Sequence, residues 1–301
     1  MIRPPAAYAA HQDFVAPARA QPALWRLVVG LLLGGVGYVV LSQLYVTLLL
    51  SILPPETALS FAEDLQAGST PAGMFALLFS FGLMLVVVGC VVVVLHHRSP
   101  LTLLGPMGDF AVQVRLAVVA VVLLNVALWV LPPWGMEPPM QPQLPLGQWV
   151  TLLPLSLLAI LVQVSAEEVL FRGYLQQQLA ARFASPLVWM VVPSALFALG
   201  HYSPETSGDN AIWFVLWAGI FGILMADLTA RTGTLGPAIA VHFVNNAIAM
   251  LFTAMPDNLS GLALYVLPFG MSDATAVAQW LPVDFAIMLT SWLAVRLALR
   301  R

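Results

Sequence analysis

Residues 27–53 read LVVGLLLGGVGYVVLSQLYVTLLLSIL. The stretch carries no charged side chain, and wound as a helix it is about 40 Å long. The hydrocarbon core of a bilayer is about 30 Å thick and is crossed by about 20 predominantly apolar residues. The run is too long for the apolar segment of a secretion signal, and no small-x-small cleavage pattern precedes Pro54. It predicts a first spanning helix rather than a removed leader.

The rest of the chain has the same character. Of 301 residues, 60% are hydrophobic and 8% are charged, against about 25% charged in soluble domains. That gap excludes a soluble enzyme, a disulfide scaffold, a coiled coil and a disordered tail. It predicts an all-α polytopic membrane bundle whose first partner is the lipid bilayer. All eleven basic residues are Arg and the net charge is −3, so no nucleic-acid partner is expected. The absence of Lys points to a GC-rich bacterial genome, and so to a bacterial inner membrane. The single cysteine, Cys90, lies in an apolar run. It can form neither an intramolecular disulfide nor a Cys-based metal cage, and it reads as a small apolar residue.

Working outward, runs of spanning or near-spanning length occupy 27–53, 73–95, 115–131, 148–166, 187–200, 212–228, 235–253 and 276–298. They predict about eight transmembrane helices. Residues 1–26 read as a loose cytosolic N-terminal tail, 27–147 as scaffold helices, 148–253 as the core that carries chemistry, and 254–301 as a C-terminal loop and helix. The apolar stretch 259–270 is read as interfacial or as part of a ninth element. With eight helices and an inside N-terminus, the outer loops 54–72, 132–147, 201–211 and 254–275 contain no Arg. They hold Glu56, Glu63, Asp64, Glu137, Glu205, Asp209, Asp257 and Asp273. Arg3, Arg19, Arg26, Arg98, Arg115, Arg172, Arg182, Arg231, Arg296, Arg300 and Arg301 all fall on or near the inner side. This partition follows the positive-inside rule and predicts both termini in the cytosol. His96, His97 and Arg98 read as a cytosolic boundary.

A charge at membrane depth costs at least about 2.5–3.5 kcal/mol, so charged and polar residues within the spans are functional candidates. Three groups stand out. The first is Glu167-Glu168 with Arg172. Residues i and i+4 share a helix face while neighbours point about 100° apart, so Glu168 is paired with Arg172 and Glu167 is left as the free carboxylate. The second is His201, four residues after Phe197. Glu167 and His201 lie 17 residues either side of Ala184, and a helical hairpin closed at 182–186 would bring them face to face. The third is His242 with Asn246, again i and i+4, with Asn245 near the same face. Two schemes of hydrolysis fit a carboxylate and two imidazoles. One is a zinc (Zn) site of Glu167, His201 and His242 with an open fourth position. The other is metal-free: Glu167 takes a proton from water with help from His201, and His242 and Asn246 donate to the oxyanion. Asn is a poor zinc ligand and a good oxyanion donor, which favours the second. There is no HExxH sequence and no GxSxG elbow, and Ser165 has no nucleophile arrangement around it.

Together the motifs Glu167-Glu168-x-x-x-Arg172, Phe197-x-x-x-His201 and His242-x-x-x-Asn246 resemble the CPBP (Abi) family of CAAX-processing and bacteriocin-processing intramembrane endopeptidases. The text EEVLFRGYLQ and RTGTLGPAIAVHFVNN at 231–246 is also similar, and the resemblance covers roughly 148–253. It implies a helical bundle with a water-filled intramembrane cavity and cleavage of a membrane-associated protein or peptide. It implies that Glu167 activates water with His201, that His242 and Asn246 stabilise the oxyanion or help hold a metal, and that Glu168 and Arg172 support the site. Family membership leaves open a non-catalytic scaffold or bacteriocin-immunity factor. An ion-coupled transporter would show two related halves, and none is visible. Prenylated substrates, one class that the resemblance implies, are not expected in a bacterium.

Overall fold

A computed structural model describes residues 6–132 and 138–301. Arg3 and Glu137, assigned above to opposite sides of the membrane, lie outside them. Twelve helices occur among the described residues. They are α1 (Ala9–Val15), α2 (Leu24–Ser51), α3 (Pro55–Ala67), α4 (Pro71–His96), α5 (Met107–Val130), α6 (Leu146–Glu168), α7 (Gln177–Arg182), α8 (Val192–Leu199), α9 (Pro204–Ser207), α10 (Ala211–Thr232), α11 (Gly236–Ala247) and α12 (Ala274–Leu299). Between α6 and α7 the helix continues without a break, widened to π winding over Val169–Gln176. Two further π-wound segments, Leu187–Val191 and Ile248–Phe252, open into α8 and extend α11.

All eight apolar runs are helical. Six helices are long and apolar enough to cross a membrane: Leu24–Ser51, Pro71–His96, Met107–Val130, Leu146–Arg182, Pro204–Thr232 and Ala274–Leu299. The runs at 187–200 and 235–253 form the shorter helices Leu187–Leu199 and Gly236–Phe252. Burial explains how a short helix survives here. Every residue from Gly236 to His242 is buried, whereas α2 turns Leu32, Val36 and Leu48 outward, as a lipid-facing helix must. Close approach is set by small residues: a Cβ on Gly222 of α10 would meet the Ser194 backbone of α8 at 3.1 Å. Capping fixes two helix starts. Thr70 accepts from Gly73 N at the head of α4, and Asp273 accepts from Ala276 N at the head of α12.

Three expectations need correction. Residues 6–20 are not loose. They wind into α1 flanked by 3₁₀ turns and bury His11, Phe14, Val15 and Ala18. The outer loop 54–72 contains α3, opened by Pro55 at its first turn and closed by Gly68 at φ +60°. Residues 259–270 form no helix. They supply β3 (Tyr265–Val266), which pairs antiparallel with β1 (Gln141–Pro142) and parallel with β2 (Thr253–Ala254), with Gln141 opposite Val266 and Thr253 opposite Tyr265.

The connections segregate to two ends of the bundle. At one end, Gln177 Nε2 donates to the Phe14 and Thr102 carbonyls, and Leu235 N donates to the Leu104 carbonyl. At the other, Leu259 N donates to Ala67 O, Gln143 N to Leu264 O and Asn210 Nδ2 to Met271 O. The helix from 146 to 182 is about 55 Å long. It is longer than the hydrocarbon core is thick, and its last turns pack against α1.

Candidate functional site

The site is assembled where the three motif-bearing segments meet. α6 delivers Glu167 and Glu168 in its last turn, and the π-wound segment delivers Arg172. π winding is rare and recurs at functional sites; here one π segment carries Arg172, another leads into the helix that bears Phe197, and the third follows the helix that bears His242 and Asn246. Glu168 and Arg172 are fully buried and bonded, Oε1 to Nη1, at 3.0 Å. The i, i+4 pairing expected of an α-helix therefore survives the wider turn. The same Oε1 accepts from His242 Nδ1 at 2.9 Å. The other imidazole nitrogen, Nε2, lies 3.5 Å from Glu167 Oε2. Two adjacent carboxylates thus bracket one imidazole. With Nδ1 engaged by Glu168, the tautomer and the ring plane of His242 are set, and Nε2 is turned toward Glu167.

Phe197 is the packing pin beneath this cluster. Its ring lies 4.7 Å from the Arg172 guanidinium carbon, edge-on to His242 at 6.2 Å and against His201 at 4.5 Å. A buried guanidinium over an aromatic face gains a cation–π attraction, worth about 2 kcal/mol when desolvated. Phe221 of α10 closes the other side of His242 at 5.0 Å.

Glu167, Glu168, Arg172 and His242 are brought into one cluster. His201 is not bonded into it. Its Nδ1 donates to the Phe197 carbonyl oxygen at 2.8 Å, its ring is exposed, and no hydrogen bond or ion pair among the described residues joins it to Glu167. The hairpin does close at 183–185, but equal residue counts do not give equal rotation. Both arms contain π turns, and α8 ends at Leu199, before His201. The imidazole facing Glu167 is that of His242. Among the described residues no three His, Cys, Asp or Glu side chains form a group that could hold a metal ion.

Asn246, one turn along α11 from His242, donates from Nδ2 to Gln163 Oε1 at 3.0 Å and accepts at Oδ1 from Asn245 Nδ2 at 3.2 Å. Gln163 and Phe221 are the neighbours that motif spacing does not reveal. Gln163 had one signal: a carboxamide four residues before Glu167 in an apolar run. Glu167 Oε2 is buried and has no hydrogen-bond partner among the described residues. A carboxylate oxygen kept dry, uncommitted and facing an oriented imidazole can take a proton from a small polar molecule placed between them.

Comparison with known proteins finds a match over the segment that holds these residues. Residues 149–248 match the family model described as Rce1-like, type II CAAX prenyl endopeptidase Rce1-like. The uncharacterized protein YyaK of Bacillus subtilis (strain 168) is 26% identical over 115 residues. That match covers 38% of this chain and 38% of YyaK. No solved structure matches. The matched segment contains Glu167, Glu168, Arg172, His201, His242 and Asn246, and over that segment the chain is similar to the Rce1-like type II CAAX prenyl endopeptidases.

Proposed function

We propose that the protein is an intramembrane endopeptidase that hydrolyses a peptide bond in a membrane-associated protein or peptide. The observation that carries the reading is the bracketing of His242 by Glu167 and Glu168. In this mechanism Glu167 Oε2 accepts a proton as a water oxygen attacks the substrate carbonyl carbon. The C–O bond forms, the carbonyl oxygen takes the negative charge, and an Asn246 Nδ2 hydrogen faces that oxyanion, joined by His242 Nε2–H when the imidazole carries a proton on both nitrogens. Collapse of the intermediate breaks the C–N bond, and Glu167 returns its proton to the leaving amine. Glu168 works through His242, and Arg172 balances the charge of Glu168. His201 stands on the exposed side of Phe197, where its Nε2 can accept a hydrogen from the incoming water. No step needs a metal.

In this reading the chain sits in a bacterial inner membrane, and the Arg distribution supports both of its ends lying in the cytosol. The test compares new protein termini in membranes of cells carrying wild type or Glu167→Gln at matched levels of folded protein. Termini that form only with wild type are the expected result, and they name the substrates. Identical termini with both would overturn the reading. A scaffold or immunity role for the same fold would then replace it.

A further inference from the structure

Both ends of the Asn246 carboxamide are held. The bond to its Oδ1 comes from Asn245, the preceding residue of α11, and ties that helix to nothing else. The bond from its Nδ2 crosses to Gln163 on α6. Gln163 lies four residues before Glu167, so the two share a face of α6. Its exposure is 6%, and a carboxamide at this depth is costly unless it is bonded. None of the three motifs includes it.

We infer that Gln163 is a positioning residue of the peptidase site: it fixes the Asn246 carboxamide so that one Nδ2 hydrogen is engaged and the other is presented beside His242. The inference rests on the peptidase reading. The Asn amide torsion is broad, so an untethered Asn246 could turn its oxygen toward a developing oxyanion and repel it. The two bonds prevent this. Reversing the Asn246 amide would set oxygen against oxygen at Gln163 and nitrogen against nitrogen at Asn245. Gln163 thereby couples the helix that carries the water-activating carboxylate to the helix that carries the oxyanion donors. The two sets of reacting groups are held in one register.

The test follows the products that wild type forms and Glu167→Gln does not. Gln163→Met keeps the side-chain length and removes the acceptor; Gln163→Glu keeps an oxygen at the same reach; Gln163→Ala is a second acceptor-free variant should the Met protein fold poorly. Loss of a single oxyanion donor costs roughly 10²–10³ in turnover. A donor left mobile should therefore cost about tenfold or more in maximal rate, with the half-saturating substrate concentration within about twofold of wild type. Gln163→Glu should recover most of that rate. In an Asn246→Ala background Gln163→Met should make no further difference, because the group it positions is gone. Wild-type rates in Gln163→Met and Gln163→Ala overturn the inference, as does a loss that adds in full to that of Asn246→Ala. Those outcomes leave the peptidase reading standing. Only indistinguishable wild-type and Glu167→Gln termini would remove both.

Discussion

Glu168 and Arg172 are fully buried, and Glu168 Oε1 serves both Arg172 and His242. Removing one member of a buried pair leaves the other charge uncompensated and costs about 3–5 kcal/mol. Arg172→Ala should therefore lower the thermal unfolding midpoint in detergent sharply and reduce the folded yield. Glu168→Gln should do so less, because an amide oxygen can still accept from Arg172. Glu167→Gln should unfold near the wild-type temperature, since Glu167 Oε2 makes no hydrogen bond that the amide would lose. Unfolding midpoints measured for the three variants check this order, and a Glu167→Gln protein as unstable as Arg172→Ala would contradict it. The Glu168–Arg172 pair was legible in the sequence because i, i+4 geometry is local. The second partner of Glu168 was not, because His242 is 74 residues away and spacing along one helix says nothing about the facing helix. Gln163 was hidden for the same reason.

Among elements, the long apolar helices were legible because hydrocarbon thickness imposes a minimum length that composition reports directly. Short helices escape that rule. α3 is polar enough to read as a loop, and α1 is only seven residues, stable because it docks rather than by propensity. That docking is pH-dependent by construction. His11 of α1 lies 4.4 Å from the Trp189 ring and within hydrogen-bond distance of Gln176 Nε2. Burial, followed by the nearby charge of Arg19, pulls its pKa from the ordinary 6.5 to about 3. The unfolded or undocked segment therefore binds a proton that the docked segment refuses. Docking is at full strength above the ordinary His value and weakens as pH falls from 6.5 toward about 3. Tyr8 supports the same contact: it donates to Asp227 at 2.8 Å, and burial with the neighbouring Asp227 raises its pKa to about 12, so it remains a donor throughout that range. Hydrogen exchange over residues 6–20, taken relative to the intrinsic rate of an unprotected amide at each pH, should accelerate as the buffer is acidified below the ordinary His pKa. A His11→Gln protein, which has no proton to gain, should lose that acceleration. Equal acceleration in both proteins would show that another group controls docking.

For the molecule as a whole, the question is how many times the chain crosses, because parity fixes which side each loop faces. Counting the six long helices alone would put some loops on the wrong end. Hydrogen bonds between the connecting segments bear on the count. The segments around 14, 102–104, 177 and 235 bond to one another at one end, while those around 67–68, 143, 210, 259–264 and 271 meet at the other. This is the alternation expected if both short helices also carry the chain across. It matches the Arg partition, with Arg98, Arg182 and Arg231 at the first end and Glu56, Glu205 and Asp209 at the second. Charge and connectivity are independent signals, and their agreement predicts a labelling pattern. In a Cys90→Ala background, Asp209→Cys should react with a membrane-impermeant maleimide on intact cells. Ser99→Cys should react only after the membrane is opened, since both positions are exposed in the fold but lie at opposite ends. The reverse pattern would invert the orientation. Reaction of both on intact cells would break the alternation, and with it the expected placement of Glu167 at membrane depth.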